Sequence, residues 1–511
     1  MISAGSLSLK DDDGIIMNDD DVVLIMSAWD SMKAFIIRRR LLANMIPADC
    51  KHPLEEWMAI KVRMTFKGNR ELRDRIGKRS LDEVTRRDMD EYQLFRFREQ
   101  LRYVMKESPY YRNKFKELNI DPDGIRTWKD LEKIPLTEPL DLAESPMYFY
   151  AVSRTRMATE FTTTGTTGHR KFIGYTVNDL VSKIDIVASA LKDVGMSPGD
   201  SLHVMYPLVA AWDPSLIMVG ACKILGYGSS VCSENDIEKQ YSAIKESGST
   251  FIIGLPSFIY RVTTLMSDRM DLKDLGIKKI ISSSEPLSES MRHTIEDAWG
   301  CKVIDVWGMT EFGLACAVEC DEQDGLHTDE ANLLFEVIDP ETLKHVPDGT
   351  VGELVLTSLN AEGTPLIRYR THDLVAMISP PCGCGAHFNR KLMKPKGRMD
   401  LQFKIGMGHK IYPVLFDEAL FSDKAVIDYQ VTITKVGFRD HLTFKVETDS
   451  PSDGLKDRIT DSVCGIMEIE QGIEEDLVDR PDVEFVGPGS MEYTIKAKKI
   501  IDNRKSFDGS E

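Results

Sequence analysis

FTTTGTTGHRK, Phe161 to Lys171, is the stretch on which the reading of this chain turns: five threonine hydroxyls and two glycines gathered about a turn, followed by basic side chains. Glycine lets a ligand approach the backbone closely and threonine adds hydroxyl donors, so such a loop presents N–H and O–H groups to a polyphosphate. Gly165 and Gly168 stand three apart. That spacing fits neither the Walker loop G-x-x-x-x-G-K-[ST] nor the dinucleotide fingerprint G-x-G-x-x-G, and a third kind of nucleotide loop is required. The plainer alternative is a polar surface loop, since Thr and Gly are ordinary loop residues.

The order of residues separates the two. TTGTTGHRKFIGYT (Thr163 to Thr176) resembles the phosphate loop of the adenylate-forming enzymes, most closely that of the phenylacetate-CoA ligase branch. In that resemblance Thr163, Thr164, Gly165, Thr166, Thr167 and Gly168 hold ATP phosphates, and Arg170 stands where relatives commonly carry proline. The likeness begins upstream, in LFRFREQLRYVMKESPYYRNKFKELNI (Leu94 to Ile120), where a helix leads to Ser108-Pro109 and the paired aromatics Tyr110 and Tyr111.

Downstream, VWGMTEFG (Val306 to Gly313) resembles the family motif in which the threonine, here Thr310, contacts the α-phosphate and the glutamate, here Glu311, holds Mg2+. A carboxylate suits this hard cation, which prefers oxygen ligands. Trp307 replaces the usual tyrosine and keeps a flat face for an adenine or aryl ring. A Thr-Glu pair is also common at helix starts. SSSEPLSESMR (Ser282 to Arg292) resembles the adenine-pocket segment, with Ser284, Glu285 and Pro286 as its lining; a helix start with Ser288 in the N-cap region is compatible with this. PLIRYRTHDL (Pro365 to Leu374) resembles the motif whose aspartate accepts from both ribose hydroxyls, which assigns that role to Asp373. The alternative for Asp373 is a surface salt bridge with a nearby arginine.

GRMD (Gly397 to Asp400) resembles the family hinge, with Arg398 reaching ribose or phosphate and Asp400 at the pivot. KIGMGHKIYP (Lys404 to Pro413) carries one residue more than the related loop, so Gly406 and Gly408 have no fixed alignment. YTIKAKKIIDNR (Tyr493 to Arg504) resembles the terminal segment that brings a catalytic lysine to the α-phosphate; Lys496 aligns with it, behind Ile495 instead of glycine. Such a lysine neutralises charge building on phosphorus in the transition state. A solvated basic strand through Lys498 and Lys499 is the alternative.

Cys382-x-Cys384, with Cys320 and His327 about 60 residues earlier, supplies three sulfurs and an imidazole, a set suited to tetrahedral Zn2+. Members of the branch resemble this pattern, which implies a closed, structural site. His387 in place of His327, Cys316 in place of Cys320, and metal-free thiols are the alternatives. For the acid, the resemblance puts Tyr206, Leu208 and Trp212 on the pocket wall, and MYPLVAAWD departs from the glycine-rich text of the branch, which points to an acid other than phenylacetate. Asp213 or His203 is a candidate for a polar substituent, with a surface position as the simpler expectation.

Outside these motifs, the helical stretches Asn178 to Val194 and Ser288 to Trp299 alternate with β-branched runs such as FIIGLP and KKIISSS, a rhythm of α/β layers. After Lys394-Pro395-Lys396-Gly397 a separate alternation begins, with VTITKVGF and LTFKVET as strands. The resemblance, spanning residues 92 to 504, implies a large adenylate-forming N-terminal domain of layered sheets and helices, 91–396, bearing the zinc site. A small mobile α+β lid, 397–511, follows. Residues 1–90 are an appendage without a recognised motif. Within it AWDSMKAFIIRRRLLANMI (Ala28 to Ile46) suits an amphipathic helix, either a partner-docking or membrane-surface element or a brace packed on the main domain.

A net charge of −18 in 511 residues argues against a nucleic-acid surface as the main partner. No apolar run reaches the roughly 18 residues of a membrane span, and the acidic opening lacks the basic start of a secretory signal. Nine cysteines are too sparse for a disulfide scaffold, so a cytoplasmic enzyme with reduced thiols is expected. The resemblance implies an AMP-forming ligase that activates an aromatic carboxylic acid with Mg-ATP and passes it to coenzyme A, with a homodimer left open. The rival readings are an adenylating ligase with a non-CoA acceptor (amide-forming, or adenylylating a deazaflavin cofactor) and a non-catalytic nucleotide-binding protein.

Overall fold

The computed structural model of the protein describes residues 41–76, 83–162, 170–206, 214–233, 235–267, 269–395, 397–491 and 499–504. Its N-terminal part is a helical brace. Leu42–Met45 forms a single 3-10 turn, and Pro53–Gly68 a helix with proline at its first position, where a missing N–H costs nothing. The described end of the expected amphipathic helix is thus a short turn, because the Asp185 carboxylate takes the backbone N–H groups of Leu42 and Ala43 at 3.2 and 2.9 Å. The same carboxylate accepts from Trp57 Nε1 at 2.9 Å. The helix Arg86–Glu107 starts on a Thr85/Asp88 capping box and stops at Ser108, with Pro109 opening the next helix.

Strands β1 (Thr159–Thr162) and β2 (Phe172–Tyr175) form an antiparallel hairpin with Thr162 opposite Phe172. Behind it lies the helix Val177–Asp193, capped by Thr176 and Asp179. Then β3 (Ser201–Met205), β4 (Gly228–Val231), β5 (Phe251–Gly254), β6 (Lys279–Ser283) and β7 (Lys302–Met309) run parallel in the order β7-β6-β5-β3-β4. The helices Pro214–Leu225, Ile237–Ser247, Pro256–Ser267 and Glu289–Trp299 connect them. All four residues of β5 are buried, as a strand covered on both faces requires. Antiparallel β8 (Gly313–Glu319) and β9 (Leu326–Thr328) extend the sheet. A separate three-stranded sheet of β10 (Leu333–Ile338), β11 (Gly352–Ser358) and β12 (Tyr369–Val375) follows, and β13 (Met377–Ile378) and β14 (Lys391–Leu392) close the large sheet at nine strands.

The C-terminal part opens with the hairpin β15 (Phe403–Ile405) and β16 (His409–Ile411). Strands β17 (Asp428–Val436), β18 (Arg439–Glu447), β19 (Asp482–Val486) and β20 (Ile500–Asp502) form a four-stranded sheet in the order β19-β18-β17-β20. The C-terminal part, through β18 and the helix Pro413–Leu420, docks on the helices Pro256–Ser267 and Glu289–Trp299. Arg261 is bound by both oxygens of the Glu447 carboxylate at 3.0 and 2.9 Å, and Glu418 accepts the N–H groups of Glu289 and Ser290 at 2.6 and 3.0 Å. A carboxylate at a helix start satisfies donors that the helix leaves open. Among the described residues no helix is long and apolar enough to cross a membrane.

Candidate active site and metal loop

The hairpin β1–β2 carries the nucleotide loop between its strands; Thr163, Thr164, Gly165, Thr166, Thr167 and Gly168 themselves lie outside the described residues, as do Leu208, Trp212, Asp213 and Lys496. Arg170 is described, and is exposed.

Thr310 and Glu311 occupy the tight turn between β7 and β8, where Met309 pairs with Gly313. A Cβ on Gly308 would collide with the Leu314 carbonyl, so the turn needs glycine there. The expectation that a Thr-Glu pair marks a helix start does not apply: the pair is held in a β-hairpin. Tyr175 donates its hydroxyl to the Thr310 carbonyl at 2.8 Å and Lys183 donates to that of Phe312, so two side chains grip successive parts of the turn.

Glu311 is buried, and its Oε1 accepts from Lys171 Nζ at 2.9 Å and from the Tyr369 hydroxyl at 3.0 Å. Lys171 also donates to the Tyr369 oxygen at 2.9 Å, which closes a three-membered network. Burial alone would push the Glu311 carboxyl up, but the Lys171 charge and these hydrogen bonds outweigh it and hold the group below its ordinary value. Burial, then the Glu311 charge, drives the Tyr369 phenol well above its ordinary value, which keeps it a donor. The result is a fully charged carboxylate in a dry place, in the form a hard divalent cation needs.

Asp373 lies on β12 and bridges to Arg398, whose Nε is 3.9 Å from Asp373 Oδ1. Both residues expected at the ribose therefore stand together; Asp373 is buried and Arg398 about one-third exposed, so the arginine pair given as the alternative is present as well. Directly before it, His372 takes a left-handed backbone at φ 63°; Ser284 does the same at φ 74°, just past the end of β6. Such conformations in non-glycine residues are strained and gather at functional sites. Glu285 accepts a hydrogen bond from Ser257, and Ser288 caps the following helix by accepting from Met291 N–H at 3.2 Å, so the pocket segment is also a helix start.

Tyr206 follows β3 and is buried, with its hydroxyl bonded to Ser284 and Ser283 and its pKa pushed up to about 12, chiefly by burial. Trp307 is half-buried on β7. Tyr206, Ser284 and Trp307 thus come from the carboxyl ends of parallel strands, where open α/β sheets bind ligands. His203, expected at the surface or at the substrate, is instead a core histidine: Ser230 Oγ lies 2.8 Å from its Nδ1 and Gln240 Oε1 3.1 Å from its Nε2. Asp400 falls on the 3-10 turn Met399–Leu401.

Lys499, for which a solvated basic strand was the alternative, is no surface group. Its ammonium lies 3.0 Å from Asp417 and within 5 Å of the Phe421 and Tyr429 rings, at 4.6 and 4.7 Å. Sequence reasoning missed Lys171, Tyr369, Tyr175 and Lys183. Lys171 and Tyr369 had a signal, since both belong to motifs quoted for other residues; Lys183 sits in a helix with none.

The second constellation is a candidate metal loop. The donor atoms of Cys320, His327, Cys382 and Cys384 all lie within 4.8 Å of one another, with Cys320 Sγ 3.8 Å from Cys382 Sγ and His327 Nε2 3.5 Å from Cys384 Sγ. Asn389 Oδ1 holds His327 Nδ1 at 3.0 Å, which turns Nε2 toward the thiols. Burial above all lowers His327 to about 4, which leaves the imidazole neutral, the ligating form. Cys316 faces the Gly313 carbonyl at 3.3 Å and His387 is outside the cluster. Three thiols and one neutral imidazole in one shell match the donors and number of a closed zinc site.

Residues 112–361 match the AMP-binding enzyme family and residues 408–504 the AMP-binding enzyme C-terminal domain. The chain is 30% identical over 432 residues to a phenylacetate-coenzyme A ligase of Aromatoleum evansii, covering 83% of this chain and 96% of that one. To the phenylacetate-coenzyme A ligase of Thermus thermophilus it is 29% identical over 443 residues, covering 83% and 99%. Among solved structures, 2-hydroxyisobutyryl-CoA ligase in the postadenylation state in complex with 2-HIB-AMP superposes with a TM-score of 0.72 at 22% identity, over 81% of this chain and 89% of that one, a likeness of fold.

Proposed function

The chain belongs to the AMP-binding enzymes, in the phenylacetate-coenzyme A ligase-like branch, and on that footing we propose that it couples an aromatic carboxylic acid to coenzyme A through an acyl adenylate. It is an AMP-forming acid-thiol ligase. In the first half-reaction the acid's carboxylate attacks the α-phosphate of ATP and pyrophosphate leaves; in the second the CoA thiol attacks the acyl carbon and AMP leaves. The observation that carries this reading is the buried, charged Glu311, set in a glycine-dependent turn and bonded to Lys171, the last residue of the threonine- and glycine-rich stretch.

In this reading Thr163 to Gly168 hold the outer phosphates, Ser284, Glu285, Pro286 and Trp307 flank the adenine, and Asp373 with Arg398 takes the ribose. Thr310 contacts the α-phosphate and Glu311 holds Mg2+, which would supply positive charge to the phosphates. Lys171, already bonded to Glu311, is placed to follow the phosphates when they arrive. Lys496 stabilises the charge that develops at phosphorus. Tyr206, Leu208 and Trp212 shape the acid pocket. The part after Asp400 is the lid, which turns between the half-reactions, and the enzyme works in the cytoplasm, where its free thiols stay reduced. Cys320, His327, Cys382 and Cys384 hold a structural Zn2+ that ties β8–β9 to the loop before β14.

Acid-dependent exchange of labelled pyrophosphate into ATP, screened over aromatic and aliphatic acids, tests the first half-reaction. Aromatic acids are expected to support exchange and to yield CoA thioesters. Absence of exchange with every acid, while ATP binds, would sink the ligase reading; exchange without thioester would move the acceptor away from CoA.

A further inference from the structure

Described residues of the N-terminal part, His52 and Glu55, reach the candidate metal loop from outside the stretch that resembles the family. Glu55, in the first turn of the helix Pro53–Gly68, is buried, and its carboxylate accepts three consecutive backbone N–H groups of the loop: His387 at 2.8 Å, Phe388 at 2.7 Å and Asn389 at 3.0 Å, all on Oε1, with Oε2 3.1 Å from the His387 nitrogen. These residues begin three positions after Cys384, and Asn389 is the one that orients His327. Hydrogen bonds to a charged acceptor are the stronger kind, so one side chain ties down the backbone of the ligand-bearing segment.

Glu55 is itself held in place. Asp193 accepts the neighbouring Leu54 N–H at 3.1 Å, Asp185 accepts from Ala43 and Trp57, and Lys192 donates to the Ala43 carbonyl at 2.8 Å. Those three acceptors and donors lie on one helix, Val177–Asp193, so the brace is anchored along the main domain before it reaches the loop. Between brace and loop is a cavity of about 220 Å3, lined by His52 and Glu55 on one side and by Cys320, His327 and Cys384 on the other. His52 lies against Gly385, where an added Cβ would come within 3.0 Å of its Nε2 and where φ is 100°.

We propose that residues 41–76 are a strap over the metal loop, and that Glu55 is the positioning residue through which the strap sets how fast a bound metal leaves. This rests on the zinc reading above. Without Glu55 the amides of 387–389 lose their acceptor; the Asn389 side chain keeps its bonds to the Thr328 carbonyl at 2.8 Å and Glu330 at 3.0 Å but loses its backbone hold, and the His327 ring is aimed less tightly at the thiols.

The test uses the full-length purified protein. Zinc content is measured first, then zinc release to a chromogenic chelator, and amide hydrogen exchange of residues 387–389. In Glu55→Ala, zinc release is expected to accelerate about 10-fold, the low end of the loss in metal affinity seen when a ligand's direct partner is removed, and the three amides to exchange faster while the circular dichroism spectrum is unchanged. Release at the wild-type rate overturns the proposal. Glu55→Gln keeps one acceptor oxygen and loses the charge; it should release zinc faster than wild type, and serves if the alanine variant does not fold, with an unchanged rate again overturning the proposal. If the wild-type protein carries no zinc, it is the zinc reading that fails. The strap is then judged by amide exchange alone, and unaltered protection of 387–389 in the variants overturns it.

Discussion

Glu311 and Glu55 are both buried carboxylates with several hydrogen bonds, and they are built for opposite purposes. Glu55 is bonded to backbone N–H groups, which have fixed positions and nowhere else to go. Glu311 is bonded to the tips of two side chains, Lys171 and Tyr369, one of them on a long flexible stem. A carboxylate held by backbone is a structural rivet. One held by an ammonium can exchange that partner for another cation without disturbing the fold, which is what a nucleotide and metal site requires.

The largest expected effect that would break this contrast lies with Lys496. Lys496→Ala should lower pyrophosphate exchange about 1,000-fold, near 4 kcal/mol, while ATP binding persists in a fluorescence titration; an unimpaired variant would falsify the assignment. Glu311→Gln comes next, with a loss of about 100-fold and a higher Mg2+ requirement. Glu55→Ala, by contrast, should leave exchange unchanged as long as the protein stays folded. Equal losses in the two glutamate variants would erase the distinction drawn between them.

Asp373→Asn should raise the KM for ATP about tenfold, as expected for a hydrogen bond to a charged acceptor worth roughly 1.5 kcal/mol, with a smaller change in kcat. The finest test is the pH profile of Lys171→Met. The Lys171 charge is what keeps Glu311 below its ordinary pKa against the effect of burial. Without it burial dominates, the pKa rises, and the acid limb of the exchange profile moves to higher pH. An acid limb that stays put would show that Lys171 does not set the charge of Glu311. Separately, Arg261→Ala would strand the buried Glu447 carboxylate, at a cost of about 3–5 kcal/mol, read as a lower urea midpoint.

Much of the candidate site was legible because its residues come in short ordered strings. VWGMTEFG named Thr310 and Glu311, PLIRYRTHDL named Asp373, and the Cys-His-Cys-x-Cys order named four donors that the fold does bring together. The alternation of helices and β-branched runs was equally readable, since burial on both faces leaves its mark on every residue of a strand such as Phe251–Gly254. His203 lies between Leu202 and Val204, and a polar residue so flanked can point outward or be paired inward; only its partner, Gln240, decides. The solvated strand given as the alternative at Lys499 does not hold either, because Asp417 pairs its ammonium.

The sequence by itself determined the family, the order of the chemical groups and the kind of reaction, because motif order is a one-dimensional property. The tertiary structure alone decided which groups meet. Lys171 reaches Glu311 across 140 residues, and Glu55 reaches Phe388 across 333. At such separations local propensity carries no information; the pairing is set by how two packed layers bring distant backbone together, where a buried carboxylate must find donors or become neutral.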